Sequence, residues 1–209
     1  MADFTNALLI VNPVSGPGLA PRYARRVQRD LERRGLSVTR RDIGMVLQSY
    51  ALFPHMTVEQ NVGYGLTVLK TAPDEIRTRV RDVLQMVAMD GYQGRYPDEL
   101  SGGQQQRVAV ARAIVSQPKL VLADEPTANL DSTSAGQLMD LFRELNENHG
   151  VTFLIATHDE RVMRRARRLI RMQDGRVISS SMVSPGWISG LPAGSPSSRY
   201  FRTFTLLEM

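Results

Sequence analysis

Short apolar runs alternate with longer amphipathic segments along most of this 209-residue chain. The apolar runs predict strands at residues 7–11, 36–40, 43–47, 120–123, 151–156, 169–172 and 176–179. Apolar side chains three and four residues apart predict helices at 20–34, at about 73–87, and at 101–116, 134–149 and 160–168. Strands that alternate with helices predict an α/β fold, a mostly parallel sheet flanked by helices.

The pattern also divides the chain. Residues 1–41 predict a strand–loop–helix–strand segment, and residues 42–180 an α/β core with a small helical subdomain at about 66–112. The Asp-Gly pair within 173–175 predicts a hairpin turn. From 181 onward Ser, Pro and Gly dominate, so residues 181–209 are expected to be a flexible tail, although 199–209 are apolar enough to dock.

Composition narrows the location and the chemistry. The formal net charge of +5 comes mainly from arginine clusters at 22–34 and 161–171. A basic patch could contact nucleic acid or anionic lipid, but solvated helix faces are the favoured interpretation and no nucleic acid is expected. The absence of cysteine excludes disulfides and thiolate metal sites. The apolar runs are too short to span a bilayer and the N-terminus lacks the basic region of a secretory signal, so a cytoplasmic protein is expected.

Polar side chains that could take part in catalysis or metal binding follow three of the predicted strands. Gln48 and the pair Asp124 and Glu125 come directly after an apolar run, and His158 comes one residue beyond the run at 151–156. In a parallel sheet these strand ends share one edge, where ligands bind. Asp124 could hold Mg²⁺ directly or through water, and Glu125 could polarise an attacking water. The alternative is that the two acids only cap the next turn.

A second candidate binding element opens with the run Leu-Ser-Gly-Gly-Gln. Ser101 stands three residues before Gln104, a capping-box pattern that predicts a helix start. The free N–H groups there attract anions, and Gly102 and Gly103 let a phosphate approach the backbone. A helix cap without a ligand is the alternative. His158 could likewise donate a hydrogen bond to a terminal phosphate or be structural.

Taken in order, LSGGQQQR from Leu100 and LVLADEPTANLD from Leu120 resemble the signature and Walker B motifs of ABC transporter ATP-binding subunits. The resemblance covers about residues 42–180. It implies a P-loop-NTPase-like fold, ATP and Mg²⁺ as cofactors, and membrane subunits and a second ATPase subunit as partners. It further implies a location at the inner face of the membrane. Residues 43–62 look like a solute importer, and residues 166–180 like lipoprotein-release or macrolide-export ATPases.

The resemblance also implies residue roles. Gln48 looks like the Q-loop glutamine, which contacts nucleotide, metal and the membrane subunit. Asp124 looks like the metal-binding Walker B aspartate, Glu125 like the catalytic glutamate and His158 like the switch histidine. The nucleotide-binding set that it implies is Gln48, Ser101, Gly102, Gly103, Gln104 and, in the D-loop, Asp131.

The chain departs from this family in one place. No G-x-x-x-x-G-K-[ST] occurs, so the usual phosphate-binding loop is missing. Instead ALLIVNPVSGPG resembles the opening of diacylglycerol-kinase-like lipid kinases, although their G-G-D-G-T loop is absent too. Ser15 and Gly16 in this loop are candidate phosphate contacts, because backbone N–H groups and a following helix start attract phosphate.

Several functions therefore stay open. The chain is expected to be the nucleotide-binding component of an ABC-type transporter, with little or no hydrolysis by itself because the phosphate clamp is missing. It could donate its signature helix to an intact partner subunit. The alternative is a non-enzymatic, chimeric or engineered chain that folds without ATPase activity. A lipid kinase lacks support beyond the N-terminus, and a DNA-repair ATPase would need a longer insert between Gln48 and the signature.

Overall fold

The computed structural model describes residues 43–173, 176–182 and 203–207; of these, 172–173, 176–178 and 203–207 are described by backbone alone. These residues belong to one unit of the fold, which begins at Ile43. The strands predicted at 7–11 and 36–40, the helix at 20–34 and the candidates Ser15 and Gly16 lie outside the described residues.

Strands and helices alternate through the first part of the described chain. The elements are β1 (Ile43–Val46), α1 (Val58–Val68), α2 (Pro73–Met86), α3 (Gly102–Ile114), β2 (Leu120–Asp124), α4 (Ser132–His149), β3 (Thr152–Thr157), α5 (Glu160–Met163), β4 (Arg168–Gln173), β5 (Arg176–Met182) and β6 (Thr203–Leu207). A short 3-10 helix, Pro97–Glu99, precedes α3.

The strands form one six-stranded sheet in the order β1-β2-β3-β6-β4-β5. β1, β2 and β3 are parallel, and their register sets Val46 beside Ala123 and Asp124 beside Ala156. β6 is antiparallel to both β3 and β4, so β4 runs in the same direction as β3. Four of the six strands thus point one way, and the predicted α/β fold with a mostly parallel sheet is confirmed.

The core lies on the sheet and between the helices. Phe153 of β3 is fully buried and stacks on Phe142 of α4, with ring centroids 4.4 Å apart. α3 packs against β1, and α1 packs against both α2 and α3. The buried faces of α1 and α3 carry small and branched side chains, among them Val62, Val108 and Val110, each with no exposed surface. Close packing of these side chains fixes α3 on the sheet.

Capping residues set where the helices begin. α1 has a full capping box, in which Thr57 Oγ1 accepts from Gln60 N and Gln60 Oε1 accepts from Thr57 N. This Thr-x-x-Gln signal stands in the sequence, but the stretch around it has mixed periodicity and predicted no helix. α3 begins after Ser101, as predicted. α4 ends at Gly150, whose φ of 65° is left-handed, the conformation that favours glycine.

The helix predicted at 160–168 is wrong in length. α5 covers only Glu160–Met163. After it, Arg165 N donates to Val162 O and Ala166 N to Met163 O, so the chain tightens into turns three residues long. Arg168 already begins β4. The helix is therefore shorter than predicted, because Arg168 pairs in the sheet and cannot be part of the helix.

Parts of the segment predicted as a flexible tail lie in the sheet. β5 extends to Met182, and Thr203–Leu207 forms β6 between β3 and β4. Two strands that are neighbours in the sequence are thus separated by the last strand of the chain. The hairpin predicted at 173–175 joins β4 and β5, which pair from Gln173 and Arg176, but residues 174–175 lie outside the described part. Among the described helices, none is both long and apolar enough to cross a membrane.

Gly44 allows β1 and α3 to approach closely. A methyl group there would overlap the carbonyl oxygen of Ala113 and lie 3.2 Å from Val121 Cγ2. We expect Gly44→Ala to lower the free energy of unfolding by about 1–3 kcal/mol, as overpacking does. Gly65→Ala is a control without overlap, because no atom lies within 4 Å of its added methyl group, and inside α1 this change should raise the midpoint slightly. Urea denaturation of both variants and of the unsubstituted chain checks this, and a Gly44→Ala midpoint equal to that of the unsubstituted chain would contradict the close approach.

β6 supplies hydrogen bonds to both of its neighbours. Removing residues 203–209 would leave the facing edges of β3 and β4 unpaired in the middle of the sheet. We expect this deletion to lower the melting temperature and to cause aggregation. A chain ending at Leu207 keeps β6 and is the control. If the two truncated chains melt and sediment alike, β6 does not complete the sheet.

Candidate functional site

The edge formed by the carboxyl ends of β2 and β3 carries the predicted acid pair. Asp124 is the last residue of β2, and Glu125 follows it with a left-handed φ of 45°. Glu125 N donates to Ala156 O of β3 at 2.8 Å, so the turn is tied to the neighbouring strand. Left-handed backbone is uncommon for a residue with a side chain and marks sites where position matters more than local stability.

The Glu125 carboxylate contacts two side chains of the next strand end. Its Oε1 lies 2.6 Å from His158 Nδ1, and its Oε2 accepts from Thr157 Oγ1 at 3.2 Å. The Glu125 side chain is 22% exposed, whereas that of His158 is 76% exposed. The structure therefore brings together two of the predicted catalytic residues, and it adds Thr157, which the sequence did not suggest.

This contact decides which ring nitrogen faces outward. With Glu125 ionised, His158 Nδ1 must carry the hydrogen that it donates, so Nε2 is the nitrogen available to a ligand. Nε2 can then donate to a phosphate only in the imidazolium form, because a neutral imidazole carries one hydrogen.

Gln48 lies in the turn after β1, at the same edge, and its side chain is exposed. Its backbone oxygen accepts from Asn129 Nδ2 at 3.0 Å. No group of three or more His, Cys, Asp or Glu side chains suited to a metal occurs in the part of the chain that the structure describes. One carboxylate and one amide fit Mg²⁺ only as a minority of its ligands, as is usual where phosphates and water supply the rest. Asp124 and Gln48 are therefore the candidate protein ligands.

The predicted helix start after Ser101 is present at α3, and phosphate binding there stays a prediction. Ser101 Oγ accepts from Gln104 N at 3.3 Å, and Gln104 Oε1 accepts from Ser101 N at 2.9 Å. A cavity of about 110 Å³ opens between this helix start and the start of α4. Its lining is mainly polar and consists of Ser101, Gly103, Gln104, Arg107, Leu130, Ser134, Gln137 and Leu138. The first turn of α3 thus faces a space that a small anion can enter.

Asp131 does not join the acid pair at the sheet edge but caps α4. Its carboxylate accepts from Thr133 N at 2.9 Å, from Ser134 N at 3.0 Å and from Ser134 Oγ at 2.6 Å. The hydrogen bond from the Ser134 hydroxyl, followed by that from its backbone N–H, lowers the pKa of Asp131. A methyl group at Gly103 would lie 3.4 Å from Ser134 Oγ, so this cap adjoins the signature glycines.

Sequence reasoning missed three polar residues that connect α3, the turns after β1 and β2, and the segment before α4. Gln106 is fully buried and its Nε2 donates to Pro126 O at 2.8 Å, which joins α3 to the turn after β2. Arg112 donates to two carbonyl oxygens of the turn after β1. Asn129 donates to that turn from the segment before α4. A glutamine and an arginine on the apolar face of a helix are signals of internal contacts, but they do not name the partner.

Comparison with known proteins shows the family of this chain. Residues 22–128 match the sequence profile of the ABC transporter family. The chain belongs to this family. The matched span holds Gln48, the signature helix and both acids, and ends before Asp131 and His158.

The curated relatives are named as ATP-binding proteins of Fe(3+) ion import. The chain is 50% identical over 124 residues to the Fe(3+) ions import ATP-binding protein FbpC of Escherichia coli O157:H7, covering 59% of this chain and 36% of that one. It is 42% identical over 146 residues to FbpC of Mannheimia succiniciproducens, covering 69% of this chain and 42% of that one. The chain thus spans little more than a third of the length of the curated relatives it matches.

Solved structures agree with the fold. The dimeric ATP-binding cassette MJ0796 bound to ADP and Pi superimposes with a TM-score of 0.60 at 39% identity, over 69% of this chain and 65% of that one. CbiO1 from Clostridium perfringens, part of the ABC transporter complex cbiONQ, superimposes with a TM-score of 0.65 at 34% identity, over 77% of this chain and 61% of that one.

The cap at α4 predicts a pH-dependent stability. Because its folded-state pKa is lowered, the ionised Asp131 stabilises the fold above its unfolded pKa, about 3.9, and this contribution is lost as the pH falls through the folded pKa. We expect Asp131→Ala to lower the melting temperature at pH 7 by a few degrees and to have a smaller effect at pH 3.

Asp131→Asn is the matched control, since asparagine also caps helices. At pH 7 its melting temperature should stay close to that of the unsubstituted chain, and its melting temperature should depend less on pH. A loss that is equal at pH 7 and pH 3 in Asp131→Ala would contradict the role of the charge.

Proposed function

We propose that this chain is a nucleotide-binding component of an ABC-type membrane transporter and that it gives its signature helix to a nucleotide held by a second, intact subunit. The capped start of α3 carries the proposal. Ser101 is exposed, and Gly102 and Gly103 place no side chains on the first turn of α3. A cavity of about 110 Å³ adjoins this turn. Unpaired N–H groups at such a helix start favour a phosphate.

A two-subunit site fits what this sequence contains. It lacks G-x-x-x-x-G-K-[ST], so two copies of this chain would bring two signature helices and no phosphate-binding loop of that type. A second subunit that has the loop would complete one site. The dimeric state named for the MJ0796 cassette supports assembly in pairs.

The sheet edge supplies the chemical groups of an ATPase. ATP and Mg²⁺ are the proposed cofactors, and a Mg²⁺ held by Asp124 and Gln48 would neutralise phosphate charge. Glu125 would orient a water, and His158, which contacts Glu125 through Nδ1, would contact a terminal phosphate through Nε2. Hydrolysis by the chain alone is expected to be weak or absent, because no lysine of a phosphate-binding loop clamps the nucleotide.

Membrane subunits are the proposed further partners. α1 and its C-terminal capping residue expose large apolar side chains, Tyr64 (41%), Val68 (62%) and Leu69 (42%), which a partner surface could cover. The transporter complex named for CbiO1 and the import function named for FbpC support a cytoplasmic position at the inner face of the membrane, with import as the direction.

A second candidate is a non-enzymatic, chimeric chain that folds without coupling to transport. The opening NPVSGPG, which resembles a lipid-kinase loop, and the missing phosphate-binding motif favour it. The two candidates differ in one respect: only the first requires an effect on an intact partner.

Mixing this chain with a relative whose sequence has G-x-x-x-x-G-K-[ST] tests the proposal. We expect the ATPase rate of the relative to rise as this chain is titrated in. Ser101→Asp should abolish the rise, because aspartate keeps the helix cap but repels phosphate. Ser101→Asn keeps the cap without the charge and should retain most of it.

Calorimetry of Mg-ATP on the chain alone, with Asp124→Asn beside it, serves as the control for binding outside the mixed site. An unchanged rate at saturating chain, or a rise that survives Ser101→Asp, would exclude the signature-donor role and favour the non-enzymatic alternative.

A further inference from the structure

The turn after β1 is held by an arginine from the far end of the signature helix. Here the Gln48 loop means residues 47–51. Arg112, in the last turn of α3, donates through Nη1 to Ala51 O at 2.7 Å and through Nη2 to Tyr50 O at 2.8 Å. Its guanidinium also lies over the ring of Phe53, 5.8 Å from the centroid. A planar fork with two parallel donors fixes both carbonyls in one orientation.

The same loop is also held by Asn129. Asn129 Nδ2 donates to Gln48 O at 3.0 Å, and the Tyr50 hydroxyl lies 3.5 Å from Asn129 O. Asn129 stands two residues before the cap of α4. The Gln48 loop is therefore tied to the helix that carries the signature and to the segment that leads into α4.

The backbone of the loop needs such support. Tyr50 and Ala51 have φ angles of 60° and 48°, so two consecutive residues with side chains are left-handed. L-residues seldom adopt this conformation, and it persists where surrounding contacts impose it. Both carbonyls that Arg112 binds belong to these two residues. The arginine thus acts on the part of the loop that would otherwise relax.

The loop also touches the first turn of the same helix. A methyl group at Gly102 would lie 3.2 Å from the Tyr50 hydroxyl oxygen. α3 consequently contacts the Gln48 loop at both ends, near Gly102 through packing and at Arg112 through hydrogen bonds. A shift of α3 along or about its axis must therefore move or strain the loop.

We propose that Arg112 is a positioning residue that sets the conformation of the Gln48 loop, and that Asn129 is a second one. The direction of the Gln48 side chain then depends on the position of α3 and of the segment before α4. Its consequence, that a nucleotide bound at the signature is sensed at Gln48, rests on the proposed function. The positioning itself does not.

Loop mobility can be measured directly because the chain has no cysteine. A nitroxide on Ser49→Cys, an exposed position in the loop, reports its mobility by electron paramagnetic resonance. A nitroxide on Glu147→Cys, an exposed position on α4, reports on the fold elsewhere. Each label is combined with Arg112→Met, Arg112→Lys, Asn129→Ala or Arg143→Met. Arg143 is the matched control, an exposed arginine whose partner among the described residues is Asp140 on its own helix.

We expect Arg112→Met and Asn129→Ala each to convert the immobilised component of the loop spectrum into a mobile one, with no change at position 147. Arg112→Lys should fail to restore order, because a single ammonium cannot hold two carbonyls as the fork does. Arg143→Met should change neither label.

Three results would overturn the proposal. They are an ordered loop in Arg112→Met, full rescue by Arg112→Lys, and equal loosening at positions 49 and 147. The last would mean general destabilisation, not positioning. None of these measurements uses a nucleotide or a partner subunit. A failure of the mixed ATPase assay therefore leaves them intact, and the two proposals fail separately.

Discussion

The close packing of α3 on β1 is the constraint on which the rest of the described fold depends. Gly44 lets the helix approach the strand, and the buried face of α3, including Val108 and Val110, then fixes the helix against the sheet and α1. Once α3 is fixed, its capped start faces the cavity beside α4, and its far end reaches the loop after β1. Packing therefore determines where the candidate phosphate contact and the Gln48 loop lie relative to each other.

Polar contacts inside the fold use this rigid frame to hold strained segments. Glu125 and Tyr50 both have left-handed backbone, and both are fixed by hydrogen bonds from elements distant in the sequence. Such strain is tolerated where the surrounding structure determines it fully. The buried amide of Gln106, bonded to Pro126 O, adds a further tie between the signature helix and the turn that carries Glu125. The candidate catalytic and sensing residues are thus positioned by α3 and by β3 together.

Membership of the ABC transporter family and the absence of its phosphate-binding sequence have a joint physical meaning. The chain keeps the residues that are proposed to orient water, metal and terminal phosphate, but its sequence has no G-x-x-x-x-G-K-[ST]. In a site where catalysis is mostly electrostatic stabilisation, the loss of that lysine is expected to lower affinity and rate together. A role in a shared site is consistent with both facts, because a helix start can stabilise phosphate that another subunit holds.

The sequence by itself determined the elements whose causes are local. Ser101 and Gln104 predicted the start of α3, since a capping box needs only residues three apart, and apolar runs placed Asp124 and His158 at strand ends. The tertiary structure alone decided the insertion of β6 between β3 and β4, the early end of α5, and the reach of Arg112 to a turn about sixty residues away. These depend on which backbone groups are left unpaired after the chain has packed. A one-dimensional pattern does not contain that information, because hydrogen-bond partners far apart in the chain are chosen by the packed arrangement.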